Sequence, residues 1–279
     1  MIFISVQTYT EPDYYNPEAV KSFADWLFMQ KDYRRAAGEY LRFYFMSGES
    51  PDDTGLFRLG RCYALAGEYE KAIAMYQRLI EDFPESILIQ ESQYEIALIY
   101  FRLTMYRESL TILRSQLITC DLNCPRLFIL SGINYLYLRE WHDACTIFHH
   151  PEFNVSIIYS PDIVKLIELS ERADNCKKKN PLYAGILSAL IPGLGKMYAE
   201  KPGDGFFSFI TIGIFGGMAA YSFYEDGPSS VKAWIYASIG GVFYLGNIYG
   251  SVIAAAHYNR EQQDIILREV DEITKTLYR

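Results

Sequence analysis

LFRLGRCYALAGEYEKAIAMYQRLIEDFP, residues 56–84, decides the fold of the first half of the chain. Its marks are Leu59, Gly60, Tyr63, Gly67, Tyr69, Ala72, Tyr76 and Pro84. The spacing predicts two antiparallel helices. Gly60 and Ala72 are small where the helices cross closely. Tyr63, Tyr69 and Tyr76 are large enough to fill the space between one hairpin and the next. Pro84 stops the second helix, because proline lacks the amide proton and its ring clashes with the preceding turn. Equivalent marks stand upstream at Ala24, Leu27, Tyr33, Ala36 and Tyr40. Downstream they are Ala97, Tyr100, Tyr106, Ser109 and Leu113, then Gly132, Tyr135, Trp141, Ala144 and Phe148. A period of about 36 residues is the signature of stacked helical hairpins.

The second copy resembles a tetratricopeptide repeat almost residue for residue, and the other copies keep its register. The resemblance implies an α-solenoid over residues 1–176, with about four repeats and a capping helix near Pro161–Cys176. That helix carries Ile163, Leu166, Ile167 and Ser170 along one face. No single hairpin covers its own apolar side, so stacking supplies the core. In such stacks the first helix of each hairpin lines the inner surface. On this register the inner face carries Phe57, Arg61, Leu65, Tyr94, Leu98, Phe101, Arg102, Arg126, Ile129, Ile133, Leu136 and Tyr137. An apolar, aromatic groove with scattered arginines suits an amphipathic helix or an extended peptide; packing within the stack is the competing use for the same side chains. Tetratricopeptide proteins that grip a chaperone's C-terminal carboxylate use several Lys and Asn residues on this face. Here the matching places offer Lys21, then Asp25, Arg58, Glu91 and Glu95, so that mode of binding is not expected.

After a run of three lysines, Lys177 to Lys179, the composition changes. Gly205–Tyr224 is a run of 20 uncharged residues, and Ala233–His257 is a second apolar run, with the polar turn Glu225–Ser230 between them. At about 1.5 Å per residue the first run matches the roughly 30 Å hydrocarbon layer of a bilayer. The segments predict a transmembrane helical hairpin over residues 205–224 and 233–257, with aromatic residues at its ends. Gly213 and Gly217, Ala237 and Gly241, and Gly246 and Gly250 recur four apart. Such faces let membrane helices approach closely, within the hairpin or against a second copy, and Asn247 offers an interhelical hydrogen bond. Leu182–Ala199 is short and broken by Pro192, Gly193 and Gly195. It reads either as an interfacial or re-entrant segment or as a third, short span.

SALIPGLGKMY (residues 188–198), Gly203-Asp204-Gly205, Gly246-Asn247-Ile248-Tyr249-Gly250 and Tyr258-Asn259 resemble a small bacterial membrane domain. That domain is marked by a PGLGQ-x-Y signature ahead of two transmembrane helices and often follows tetratricopeptide repeats. This chain has Lys196 at the usual glutamine. The resemblance covers about residues 182–259 and implies a bacterial inner-membrane protein. If the short segment stays on one side, the repeats and the tail face the cytoplasm by the positive-inside rule. If it crosses, the repeats are periplasmic and an upstream signal peptide is required. Met1–Val6 is only a short apolar stretch. The tail, residues 258–279, reads as an amphipathic helix with Ile266, Val270, Ile273 and Leu277 in one stripe.

Charge follows the same division. Residues 1–176 carry 16 Lys/Arg against 25 Asp/Glu, and residues 177–279 carry 10 against 9. An acidic repeat half argues against nucleic-acid binding, which needs clustered cations. The five cysteines, Cys62, Cys120, Cys124, Cys145 and Cys176, show no disulfide framework. His142, Cys145 and His149, with His150 beside them, have the spacing of a metal site on one helical side. The packing role of Cys145 and the helix end near Pro151 account for them better. No metal or cofactor is expected, and no phosphate loop, dinucleotide fingerprint or nucleophile elbow occurs. The sequence therefore predicts an all-α chain: a tetratricopeptide-repeat solenoid, a transmembrane helical hairpin and an amphipathic C-terminal helix. The function expected is that of a non-enzymatic membrane-anchored adaptor for a protein or peptide, able to form a homodimer and serving envelope assembly or secretion. The competing expectation is a subunit of a transport or insertion complex.

Overall fold

A computed structural model of the chain describes residues 16–46, 52–119, 125–150 and 160–278. Cys120, Cys124 and the N-terminal apolar stretch lie outside the described residues. Among the described residues the chain is all-α. It divides into two compact units, Met1–Ile163 and Val164–Arg279.

The described residues of the first unit form four helical hairpins: α1 (Pro17–Met29) with α2 (Tyr33–Met46), α3 (Asp53–Leu65) with α4 (Tyr69–Asp82), α5 (Ile89–Arg102) with α6 (Tyr106–Thr119), and α7 (Pro125–Tyr137) with α8 (Trp141–Phe148). Each helix packs on the one before and the one after it. The second helix of every hairpin opens on an aromatic mark of the repeat, at Tyr33, Tyr69, Tyr106 and Trp141. Asn16 and Asp52 cap α1 and α3, each side chain accepting a backbone amide two residues on.

Every hairpin turn is built the same way. Lys31, Gly67, Thr104 and Arg139 all have φ between 60° and 79°. The amide after each bonds back across the helix end: Asp32 to Leu27 O at 3.0 Å, Glu68 to Tyr63 O at 2.8 Å, Met105 to Tyr100 O at 2.9 Å and Glu140 to Tyr135 O at 3.0 Å. This six-to-one bond over a left-handed residue is the Schellman closure, which satisfies carbonyls left free at the helix end. Only the second repeat uses glycine for it.

The crossing point of each hairpin is a small residue under a large one, sixteen positions on: Ala24 and Tyr40, Gly60 and Tyr76, Ala97 and Leu113, Gly132 and Phe148. All six of the non-glycine partners are buried. A Cβ on Gly60 would stand 2.7 Å from the Tyr76 ring, and one on Gly132 would overlap the Phe148 ring. Tyr76 thus fills its own hairpin, with its ring 5.6 Å from that of Phe57, rather than the gap to the next one.

The second unit contains α9 (Pro161–Asp174), which begins just before its boundary, then α10 (Pro181–Leu190), α11 (Leu194–Tyr198), α12 (Pro202–Asp226) and α13 (Val231–Leu277). At 10 residues, α10 is about 15 Å long, half a hydrocarbon layer. The chain then reverses at Gly193, whose φ is 87°. A Cβ on Gly193 would overlap the Gly205 carbonyl, and one on Gly195 the Ala184 carbonyl, so these glycines let α11 lie against α10 and α12. The two ends of this short excursion meet. Asn180 N donates to Tyr198 Oη at 3.2 Å, and Lys179 Nζ donates to Tyr198 O at 2.6 Å. Asn259 closes the same knot from α13, accepting Lys179 N at 2.8 Å and donating to Lys179 O at 2.8 Å. Lys179 is therefore built in rather than a loose flank. It pairs with Glu200 at 2.8 Å, which holds that carboxyl below its ordinary range.

Higher up, α10 is fastened to α13 by Ser188 Oγ and Ser251 Oγ at 2.6 Å and by Tyr244 Oη donating to Ala189 O at 2.5 Å. The tail is not a separate helix. It continues α13, which runs unbroken for 47 residues, about 70 Å. Ile266, Val270 and Ile273 of the tail stripe are buried, and Glu269 pairs with Arg172 and Lys165 of α9.

Candidate functional site

The inner-face residues fall into two groups. Phe57, Tyr94, Leu98, Phe101 and Ile133 are buried among the helices, and Ile129 and Tyr137 are half-buried. Arg61, Leu65, Arg102 and Arg126 are exposed. Ring contacts tie buried to half-buried residues along the face: Phe101 lies 5.7 Å from Tyr137, and Tyr106 stacks on Tyr137 at 4.9 Å.

Ion pairs join residues one repeat apart along this unit. Lys21 pairs with Asp52 at 2.7 Å, Asp25 with Arg58, Glu91 with Arg126, Arg34 with Glu68 at 3.7 Å and Arg107 with Glu140 at 2.9 Å. Asp25 also accepts from Tyr40 Oη. Arg126 lies over the Tyr94 ring at 4.7 Å. The residues standing at the carboxylate-clamp positions are thus mostly engaged with their own neighbours. The series is interrupted between the second and third repeats. Among the described residues, Arg61, Glu95 and Arg102 form no ion pair, although Arg61 and Glu95 are one repeat apart. Arg61 rests over the Phe28 ring at 5.8 Å instead. Burial raises the Glu95 carboxyl above its ordinary range, while Arg61, Arg102 and Arg126 pull it the other way and Glu91 adds to the rise. Next to Arg61 is a cleft of about 210 Å³ lined by Asp25, Phe28, Met29, Tyr40 and Arg58. A half-buried acid stands here near two guanidinium groups that make no ion pair among the described residues. Arg61 and Arg102 are among the inner-face residues expected from the sequence. Glu95 stands out there only as a departure from the carboxylate clamp, and Phe28, whose ring lies on the preceding hairpin, carries no repeat mark.

In the second unit, Gly213, Gly217, Gly241 and Gly246 have open space where a Cβ would stand. Gly250 faces Lys196. The close contact between α12 and α13 is made by Gly240, whose Cβ would lie 3.3 Å from Phe215 Cβ, and that between α10 and α13 by Gly185, against Val252 at 2.9 Å. Gly213, Gly217 and Gly241 therefore have no other helix of this chain against them, Gly246 lines a cleft between α12 and α13, and the internal crossings use other glycines.

His149 Nδ1 lies 2.8 Å from the Cys145 carbonyl oxygen and 3.6 Å from Cys145 Sγ, within its own helix end. Among the described residues no three His, Cys, Asp or Glu side chains converge as metal ligands would. Cys62 is fully buried, which pushes its thiol up to about 12.

Residues 54–86 match the tetratricopeptide-repeat family, the span of α3, α4 and the turn beyond. None of the curated proteins matches the chain. Among solved structures, the chain is similar to the C-terminal part of a TPR repeat-containing protein from Cytophaga hutchinsonii. The identity is 15%, the TM-score 0.49, and 84% of each chain is covered. The second repeat is thus a recognised tetratricopeptide repeat, set in an all-α chain of stacked hairpins that ends in two long apolar helices.

Proposed function

We propose that this protein is a membrane-anchored adaptor whose repeats bind a segment of a partner protein. The observation that carries the anchor is exposure. An apolar helix in a water-soluble protein is buried, yet only 17% of the most apolar window of α12 and 28% of that of α13 are buried. Phe206, Phe207, Ile214, Met218, Trp234, Leu245 and Tyr249 stand open along them. A surface of that size needs lipid or a partner around it. The short length of α10 and the meeting of residues 180 and 198 favour a re-entrant segment with two spans. On that topology α9 and the end of α13 share one side, and the flanking lysines make it the cytoplasmic side of a bacterial inner membrane.

The partner segment lies on the inner face where the second and third repeats join. Arg61 and Arg102 receive its acidic groups and Leu65 its apolar ones. Anchoring confines both partners to a thin layer, which raises effective concentration without new contacts. Envelope assembly or secretion is the process this architecture suits. The test is a photo-crosslinking residue placed in the full-length chain in cells, at Leu65 or Arg102 on the inner face and at Gln77 on α4. The expected result is one discrete protein adduct from the inner positions and none from Gln77. Equal labelling at all three positions contradicts the reading.

A second reading is favoured by the open glycine faces at Gly213, Gly217 and Gly241. Here the hairpin is the working part and packs on another membrane helix. A disulfide dimer formed by Gly241→Cys in membranes, together with loss of every inner-face adduct, supports it over the first.

A further inference from the structure

We propose that the cleft between α12 and α13 binds one anionic phospholipid, with Lys196 holding its phosphate and the cleft taking an acyl chain. The proposal rests on the membrane reading above. The cleft has a volume of about 370 Å³, within the range of small-ligand sites. Its walls are apolar, with Phe207, Ile212, Val242 and Phe243 among them.

Four polar residues interrupt this lining, Lys196, Ser208, Thr211 and Asn247. Lys196, on α11, reaches between the long helices. Its Nζ donates to Ser208 Oγ at 2.8 Å and would stand 3.7 Å from a Cβ on Gly250. The ammonium thus lies in ordinary contact range of α13 at position 250. Lys196 forms no ion pair among the described residues, unlike Lys179, which Glu200 neutralises. Asn247 is 3% exposed, and its amide donates to Ser188 O at 3.4 Å. Its Oδ1 accepts no hydrogen bond from the described residues, though the side chain lines the cleft. A buried acceptor of this kind calls for a donor.

The order of these groups along α13 matches an amphiphile. Gly250 and Lys196 lie about 10 Å inside the end of the apolar run at His257, and Val242 and Phe243 about 20 Å inside. The charge is therefore at the shallow end and the greasy wall at the deep end. An ammonium at this depth needs a counter-charge, and a serine hydroxyl does not supply one. A lipid phosphate does, and its chain covers walls that a soluble phosphate would leave bare. Asn247, one turn deeper than Gly250, offers the glycerol end a polar side chain in an otherwise apolar wall.

The test uses the full-length chain purified in dodecyl maltoside and titrated by native mass spectrometry. The probes are dioleoylphosphatidylglycerol, dioleoylphosphatidylcholine and inorganic phosphate. The expected result is one phosphatidylglycerol bound about tenfold more tightly than phosphatidylcholine. Lys196→Gln removes that preference, Lys196→Arg keeps it, and Val242→Trp weakens both lipids by filling the cleft. Equal binding of the two lipids to the wild type overturns the proposal, as does displacement of the lipid by millimolar inorganic phosphate. Loss of preference in Lys196→Arg as well as Lys196→Gln also overturns it, since the charge is then not what matters. A chain that needs detergent but shows no preference leaves the anchor standing and removes only this site. A chain that stays monodisperse without detergent removes both.

Discussion

At the scale of single residues, glycine has two opposite roles in this chain, and the surroundings decide which. Gly132 sits under the Phe148 ring, where a Cβ has no room. Gly132→Ala is expected to lower stability by about 1–3 kcal/mol through overpacking, although alanine is the better helix former. Gly38 lies exposed inside α2 with open space where a Cβ would stand. Gly38→Ala is expected to raise stability by about 1 kcal/mol. Thermal unfolding of the full-length chain in detergent separates the two signs. Glu95 gives a pH-dependent test. Its carboxyl is raised in the folded state, so its contribution to stability is full below the unfolded value and is lost as pH rises through the folded one. Glu95→Gln is expected to melt above the wild type at pH 7, with the two curves converging as the pH falls below the ordinary glutamate range. A constant difference across that range would mean that the charge is not responsible. The sequence displayed the glycines but could not rank them, because Gly60 and Gly213 look alike until the partner on the facing helix is known.

At the scale of elements, the hairpin is the unit that the sequence made legible. Tyr33, Tyr69, Tyr106 and Trp141 mark the start of the second helix in all four copies, and the small residue sixteen positions before each large one fixes the crossing. The turns were harder to see. Lys31, Thr104 and Arg139 adopt the left-handed backbone that Gly67 adopts freely, and such residues carry no turn signature of their own. Thr104 is β-branched, the least suited to that conformation. Thr104→Gly is expected to raise stability by about 1 kcal/mol by relieving it, and Thr104→Ala to gain less. Read by hydropathy, the tail broke from the membrane segment near Tyr258. The structure has one continuous α13, because a change from apolar to polar residues without glycine or proline alters a helix's surroundings and not its backbone. Leu182–Ala199 stayed ambiguous for the opposite reason. Its proline and glycines announced a break, but the contact of Asn180 with Tyr198 that closes it depends on residues eighteen apart.

At the scale of the whole molecule, a stack of repeats and a pair of apolar helices are present in one chain, and the function depends on what surrounds the second. Ile214 tests this most directly. It lies midway along α12 and its side chain is 53% exposed, so the protein itself does not shield it. Ile214→Cys and Ser229→Cys, the latter in the turn between α12 and α13, are treated with a charged maleimide in intact membranes and again after solubilisation, with the wild-type chain as the blank. If lipid covers α12, the Ser229→Cys variant reacts in membranes opened to both faces, while the Ile214→Cys variant gains no label there beyond the blank. Rapid labelling of the Ile214→Cys variant without detergent would contradict the account.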